Sequence, residues 1–198
     1  AISKYNEDED VESFWDWVLA AKPKELTING WHGNLMFDIE CLRKYSTAVA
    51  TPSIALDESC FDETVDAFDD PDAPEIFGRF VNINAKNIMI DPQRLMEIIM
   101  ARARNHVMGA WVIRTTQAMD KNTIRAALEP TMEGRDIKAG TEGFINDQRS
   151  WSHRFAISNA DGNTIISLDT QYEMVDQAPV PRGGWDSSYY HMAIYFEE

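Results

Sequence analysis

Apolar residues recur at helical spacing through the first two thirds of the chain and at strand spacing through the last third. The clearest stripe lies in the middle. Leu95, Met96, Ile98, Ile99, Met100, Ala103 and Val107 fall on one side of a helical wheel. Gln93, Arg94, Glu97, Arg102, Arg104 and Asn105 fall mostly on the other. Asp91 stands where an N-cap belongs, and Pro92, at the first helical position, has no amide to leave unpaired. The spacing predicts a central helix over 92–107, broken by Gly109 and followed by a short apolar strand, Ala110 to Ile113, that ends at Arg114–Thr116.

Upstream, Val11, Phe14, Trp15, Val18 and Leu19 predict a helix over 9–21, ended by Pro23. Leu26–Asn29 has strand character. Asn34 is placed to cap a helix carrying Leu35, Met36, Ile39 and Leu42, and Ala48–Leu56 is a strand interrupted at Pro52. Phe61, Val65 and Phe68 mark the inner side of a helix closed by Pro71 and Pro74. Ile76–Ile83 is a strand, and Ala85–Asn87 turns the chain toward the central helix.

Downstream, Ile124, Ala127 and Leu128 belong to a helix stopped by Pro130. Residues 131–150, with Gly134, Gly140 and Gly143, show no sustained period and read as a long loop. Ser152–Ser158 and Asn163–Leu168 flank the hairpin signal Asn159-Ala160-Asp161-Gly162. A proline- and glycine-rich loop, Ala178–Trp185, leads to a last strand, Ser188–Phe196. The sum is one α+β domain over 1–198, with a mixed, mostly antiparallel sheet and the central helix packed on it. Its parts are an acidic segment, 1–80, the helix–strand unit 91–116 and a β-rich segment, 151–198. The early alternation of helix and strand makes a three-layer α/β sheet the second choice.

Charge changes this picture more than composition does. The 198 residues are 44% hydrophobic and 26% charged, ordinary for a globular protein, but the net charge is −15. Residues 1–80 carry 18 acids against 6 bases, 81–150 carry 8 against 10, and 151–198 carry 7 against 2. Such a field opposes approach to nucleic acid or to an anionic membrane. No apolar run approaches the roughly 20 residues a spanning helix needs. The polar, acidic start is the reverse of a secretory leader. Cys41 and Cys60 are too few for a disulfide framework and read as reduced thiols, so a cytoplasmic location is expected.

Motifs for chemistry are sparse. There is no Cys-x-x-Cys, His-Glu-x-x-His, Walker sequence, Gly-x-Gly-x-x-Gly or Gly-x-Ser-x-Gly, and neither a metal nor a cofactor is expected. The Asp69-Asp70-Pro71-Asp72 run lacks the spacing and glycine of a calcium loop. His106 falls near the end of the central helix, where a cation complements the dipole. His153 and His191 fall on two strands of the β-rich segment and face each other if those strands pair. A two-histidine phosphoester site would put Ser or Thr two residues after each, where Phe155 and Ala193 stand. His32, on a Gly-flanked loop, is a third candidate base.

Two stretches suggest binding instead. Between Asp57 and Glu75 there is no Lys or Arg, and Asp62, Glu63, Asp66, Asp69 and Asp70 would line the outer side of the acidic helix. The loop before the last strand carries Arg182, Trp185 and Tyr189, residue types enriched at interface hot spots. The leading expectation is therefore a non-catalytic acidic protein that docks on a basic surface of another protein, as an inhibitor in the manner of DNA mimics or immunity proteins. The alternatives are a small hydrolase or phosphoesterase using His153, His191 and His32, and a structural subunit of an assembly such as a virion.

Overall fold

The computed structural model describes residues 9–28, 39–57, 68–145, 150–183 and 188–197, with the side chains of 9–14 and 141–151 left aside. Its first half is a run of alternating helices and strands: α1 (Glu9–Ala21), β1 (Glu25–Thr27), α2 (Ile39–Ala48), β2 (Ser53–Asp57), α3 (Ala73–Phe77), β3 (Asn82–Ile88), α4 (Pro92–Ala103) and β4 (Gly109–Thr115). After α5 (Lys121–Met132) come β5 (Ile137–Ile145), β6 (Ser150–Asn159), β7 (Thr164–Val175), β8 (Ala178–Val180), β9 (Arg182–Gly183) and β10 (Ser188–Phe196).

All ten strands join one sheet, in the order β1-β2-β3-β4-β10-β7-β6-β5, with β8 beside β7 and β9 beside β10. β1 to β4 pair in parallel, and every pairing from β4 onward is antiparallel. This is the expected α+β class: parallel strands need helical crossovers, and β5, β6 and β7 need only turns. The turn between β6 and β7 is the one the sequence signals. Asn159 Oδ1 accepts from the Asn163 amide, and Gly162 takes a positive φ of 85°.

The helices form one layer, α1 against α2, α2 against α3, α3 against α4 and α4 against α5. Strand residues alternate accordingly. Ile83 and Ala85, Trp111 and Ile113, Met192 and Ile194, and Leu168 and Ile166 point into the core, while Asn82, Asn84, Ala193, Ser167 and Asp169 point to the opposite face. One face of the sheet is packed on helices. The other is polar and at least partly open to solvent.

The central helix is capped as expected: Asp91 accepts from the Arg94 amide at 3.0 Å, and Pro92 opens the first turn. Leu95, Met96, Ile98, Ile99 and Met100 are buried. The helix ends four residues before the expected limit, however. The chain turns at Arg104–Asn105, His106 adopts a φ of 49°, and Val107 is 42% exposed and outside the stripe. His106 is thus past the helix end rather than in its last turn. Gly109 opens β4 and does not act as a helix breaker.

The reason is Arg102, which the helical wheel puts on the polar side but which is fully buried. Its Nε donates to the Phe80 carbonyl (2.8 Å), and its Nη2 donates to the carbonyls of Val107 (2.8 Å) and Val81 (3.3 Å). The guanidinium lies 4.4 Å from the centre of the Phe196 ring. One side chain thereby satisfies the backbone of the segment before β3 and of the segment after α4, and ties both to β10. Gly109 makes room for it: a Cβ there would fall 2.7 Å from Arg102 Nη2 and 2.2 Å from the Val81 carbonyl oxygen.

Three other expectations are corrected. Ile76 and Phe77 lie in the short helix α3, between Pro74 in its first turn and Gly78, and the strand starts only at Asn82. Pro130 sits inside the last turn of α5, which continues to Met132. Half of the presumed loop 131–150 is strand: β5 pairs with β6 along Ile137–Ile145. It is a sheet edge, where glycines are tolerated and mask the alternation.

Replacing Arg102 by leucine leaves one buried and two partly buried carbonyls without this donor and should destabilise the fold by about 2–4 kcal/mol in urea unfolding. A loss under about 1 kcal/mol would show that the guanidinium's desolvation cancels its hydrogen bonds.

Candidate functional site

The register of β10 decides where the histidines go. β6 and β10 do not pair with each other; both pair with β7, His153 opposite Thr170 and His191 opposite Gln171. Thr170 and Gln171 are neighbours on one strand and so point to opposite faces. His153 is buried on the helix side, stacked at 6.0 Å on Tyr172, and His191 sits on the open face. The two imidazoles are separated by the sheet itself, and the paired-histidine arrangement is not formed. His32 lies outside the described residues.

His191 has company on its own face. Arg114 of β4 is its direct cross-strand neighbour on one side and Gln171 of β7 on the other. Tyr189 stands two residues before it on the same strand, with ring centroids 6.5 Å apart, and Arg182 of β9 is opposite Tyr189. Directly opposed residues of an antiparallel pair have Cβ atoms only about 5 Å apart, so these five side chains share one small area. Arg114 donates to Asn84 Oδ1 (3.1 Å) and lies 5.9 Å from the Tyr189 ring centre; Arg182 donates to Gln171 Oε1 (3.2 Å). Both guanidiniums are therefore held by neutral groups. Two nearby charge pairs are Arg154 with Asp169 at 2.8 Å and Lys86 with Asp57 at 3.2 Å, and Glu173 follows Gln171 by two residues on the same face of β7.

Burial, with Arg114 and then Arg182 adding to it, holds the His191 imidazole below its ordinary value. Its Nδ1 is enclosed and has no hydrogen-bond partner among the described residues. With Nδ1 enclosed and unpartnered, an N–H there would be a buried unsatisfied donor, the costlier of the two tautomers. The neutral ring therefore keeps its proton on Nε2. His153 is likewise lowered, first by burial and then by Lys121 and Arg125, against a smaller opposing effect of Asp120.

Of the residues expected to contact a partner, Arg182 and Tyr189 belong to this open-face cluster. Trp185 lies outside the described residues, as do Asp62, Glu63 and Asp66. Asp69 is exposed. Asp70 serves the fold: its Oδ1 accepts from the Asp72 amide at 2.9 Å, and its carbonyl accepts from Arg94 of α4. Asp72 pairs with Arg43 at 2.5 Å. Cys41 is half-buried on α2 and Cys60 lies outside the described residues. Sequence reasoning missed Arg114 and Gln171, which only the register of β10 brings to His191. Among the described residues, no three His, Cys, Asp or Glu side chains gather as a metal site would require. No described helix is long and apolar enough to cross a membrane. The chain matches no protein-family model, and no curated protein matches its sequence.

Both lowered histidines bind protons more readily in the unfolded chain. Stability contributed by keeping them neutral is thus present above the unfolded value of about 6.5 and is lost as pH falls below it. The melting temperature should drop between pH 7 and pH 5.5, and His153→Gln should flatten that drop. An unchanged pH slope in the variant would contradict the assignment.

Proposed function

We propose that the protein is a non-catalytic binding protein whose acid-rich end docks on a basic surface of another protein and blocks it. One observation carries the reading: the topology converts an asymmetry along the sequence into an asymmetry in space. Residues 1–80, with 18 acids and 6 bases, supply β1 and β2 at one edge of the sheet and the helices α1, α2 and α3. The central strands β3, β4, β10 and β7 come from residues 81–198, which together carry 15 acids against 12 bases. Among the described residues of the acidic part, Asp16, Glu25, Glu40, Asp69, Asp72 and Glu75 are exposed, beside exposed Lys22, Lys24 and Lys44; exposed acids elsewhere, such as Glu129, Asp136, Asp161 and Asp176, are spread over the rest of the chain.

Some of these carboxylates are engaged locally, Glu40 with Arg43 at 3.0 Å and Glu75 with Arg79 at 2.6 Å. Those pairs are exposed and weakly held, and they leave the local excess of negative charge in place. A one-sided excess of this kind steers a cationic partner during approach, and short-range packing then sets the lifetime of the complex. Paired-histidine hydrolysis has no comparable support, since the sheet separates His153 from His191.

The test uses the full chain as bait in extract of its host, followed by rate measurements on the purified partner. The reading expects a basic partner whose association slows by about tenfold as salt rises from low to physiological levels. It expects a further loss of about tenfold on neutralising Asp62, Asp66 and Asp69 together to asparagine. Association indifferent to both salt and neutralisation would overturn it.

A further inference from the structure

The geometry points to an oxyanion site on the open face of the sheet, in which Arg114, Arg182 and His191 hold the phosphate group of a small molecule. This site is independent of the acidic end and of what docks there.

Four observations converge on it. Two guanidiniums stand on either side of the Tyr189–His191 pair, one on β4 and one on β9, and neither pairs with a carboxylate among the described residues. Their only hydrogen-bond partners there, Asn84 and Gln171, are neutral amides, which orient a guanidinium without cancelling its charge. The third polar group is an imidazole with its Nδ1 sealed off, so its remaining polar edge is the Nε2–H donor. Finally, this concentration of positive charge occurs in a protein of net charge −15, where surface cations of the same face, Arg154 and Lys86, are neutralised by a neighbour.

The donors select the ligand's class. A single carboxylate is planar and is saturated by one guanidinium fork. Two guanidiniums from different strands with an imidazole on the strand they both adjoin supply more donors than one carboxylate can use, and suit a tetrahedral oxyanion with several terminal oxygens. The charge agrees: a phosphate monoester is close to dianionic at neutral pH and meets two fixed positive charges. Tyr189, half-buried between the two arginines, offers a ring edge to whatever the phosphate is attached to. Gln171 and Asn84 are held by the arginines and complete a rim of neutral polar groups. No bond is made or broken at this site; the inference concerns binding alone.

The experiment follows the His191 ring by 15N–1H spectroscopy in the full-length protein during separate titrations with inorganic phosphate, phenyl phosphate and acetate at constant ionic strength. The expected result is a saturable shift of the His191 signals with phosphate, phenyl phosphate or both, and none with acetate. A response to both identifies the phosphate group as the determinant. Tighter binding of phenyl phosphate identifies the ligand as an ester; tighter binding of inorganic phosphate identifies free phosphate. Arg114→Gln and Arg182→Gln should each weaken binding by at least about tenfold, since each removes a charge-assisted hydrogen bond. Indifference of His191 to both phosphates overturns the inference, as does equal response to acetate or undiminished binding in the double variant. Should either variant fail to fold, the wild-type titration alone decides between these results.

Discussion

The last strand of the chain is the middle of the sheet. From Tyr190 to Phe196, β10 pairs residue by residue with β4 on one side, and from His191 to Phe196 with β7 on the other. Its inward residues, Tyr190, Met192, Ile194 and Phe196, are buried in the core shared by both halves. Phe196 meets the edge of Trp111 at 5.1 Å and lies beneath the Arg102 guanidinium. Without β10, the parallel half and the antiparallel half would each present an unpaired edge, and the core would be split between them. The pairing of β10 with β4 is also the most distant in sequence of the described pairings, so its loop-closure cost falls late in assembly.

That insertion has two consequences for function. First, it fixes which residues share the open face. β10 brings His191 beside Arg114 of β4 and Gln171 of β7, and its start brings Tyr189 beside Arg182. A shift of β10 by one residue would turn Tyr189 and His191 inward, away from Arg114, Gln171 and Arg182, and expose its own apolar set. Second, it leaves β1 and β2, which come from the acid-rich first 80 residues, on the side of β3 and β4 opposite to β7 and β9.

The sequence made the local elements legible where one signal dominated. The Asp91–Pro92 start of α4, the Asn159–Gly162 turn and the limits of β10 could be read directly, because capping, turn chemistry and alternation each work over a few residues. What failed was anything set by tertiary contact. Arg102 looks solvent-facing on a helical wheel, yet three backbone carbonyls and an aromatic ring draw it inside. β5 hides behind glycines that an edge strand tolerates. Ile76 and Phe77 have strand propensity and lie in a helix because Pro74 and Gly78 delimit one there. The candidate site was half visible: Arg182, Tyr189 and His191 stand out as residue types, but Arg114 and Gln171 join them only through a register that no local pattern encodes. The same register undoes the pairing of His153 with His191, which spacing alone left open.

Since one strand joins the halves, the most direct measurement is native-state amide hydrogen exchange resolved by residue. Strand β10 should be protected to the level of global unfolding across residues 191–196, matching its partners in β4 and β7, despite lying at the end of the chain. Exchange there at the rate of a frayed terminus, with β4 and β7 still protected, would contradict the central placement of β10 and everything built on its register.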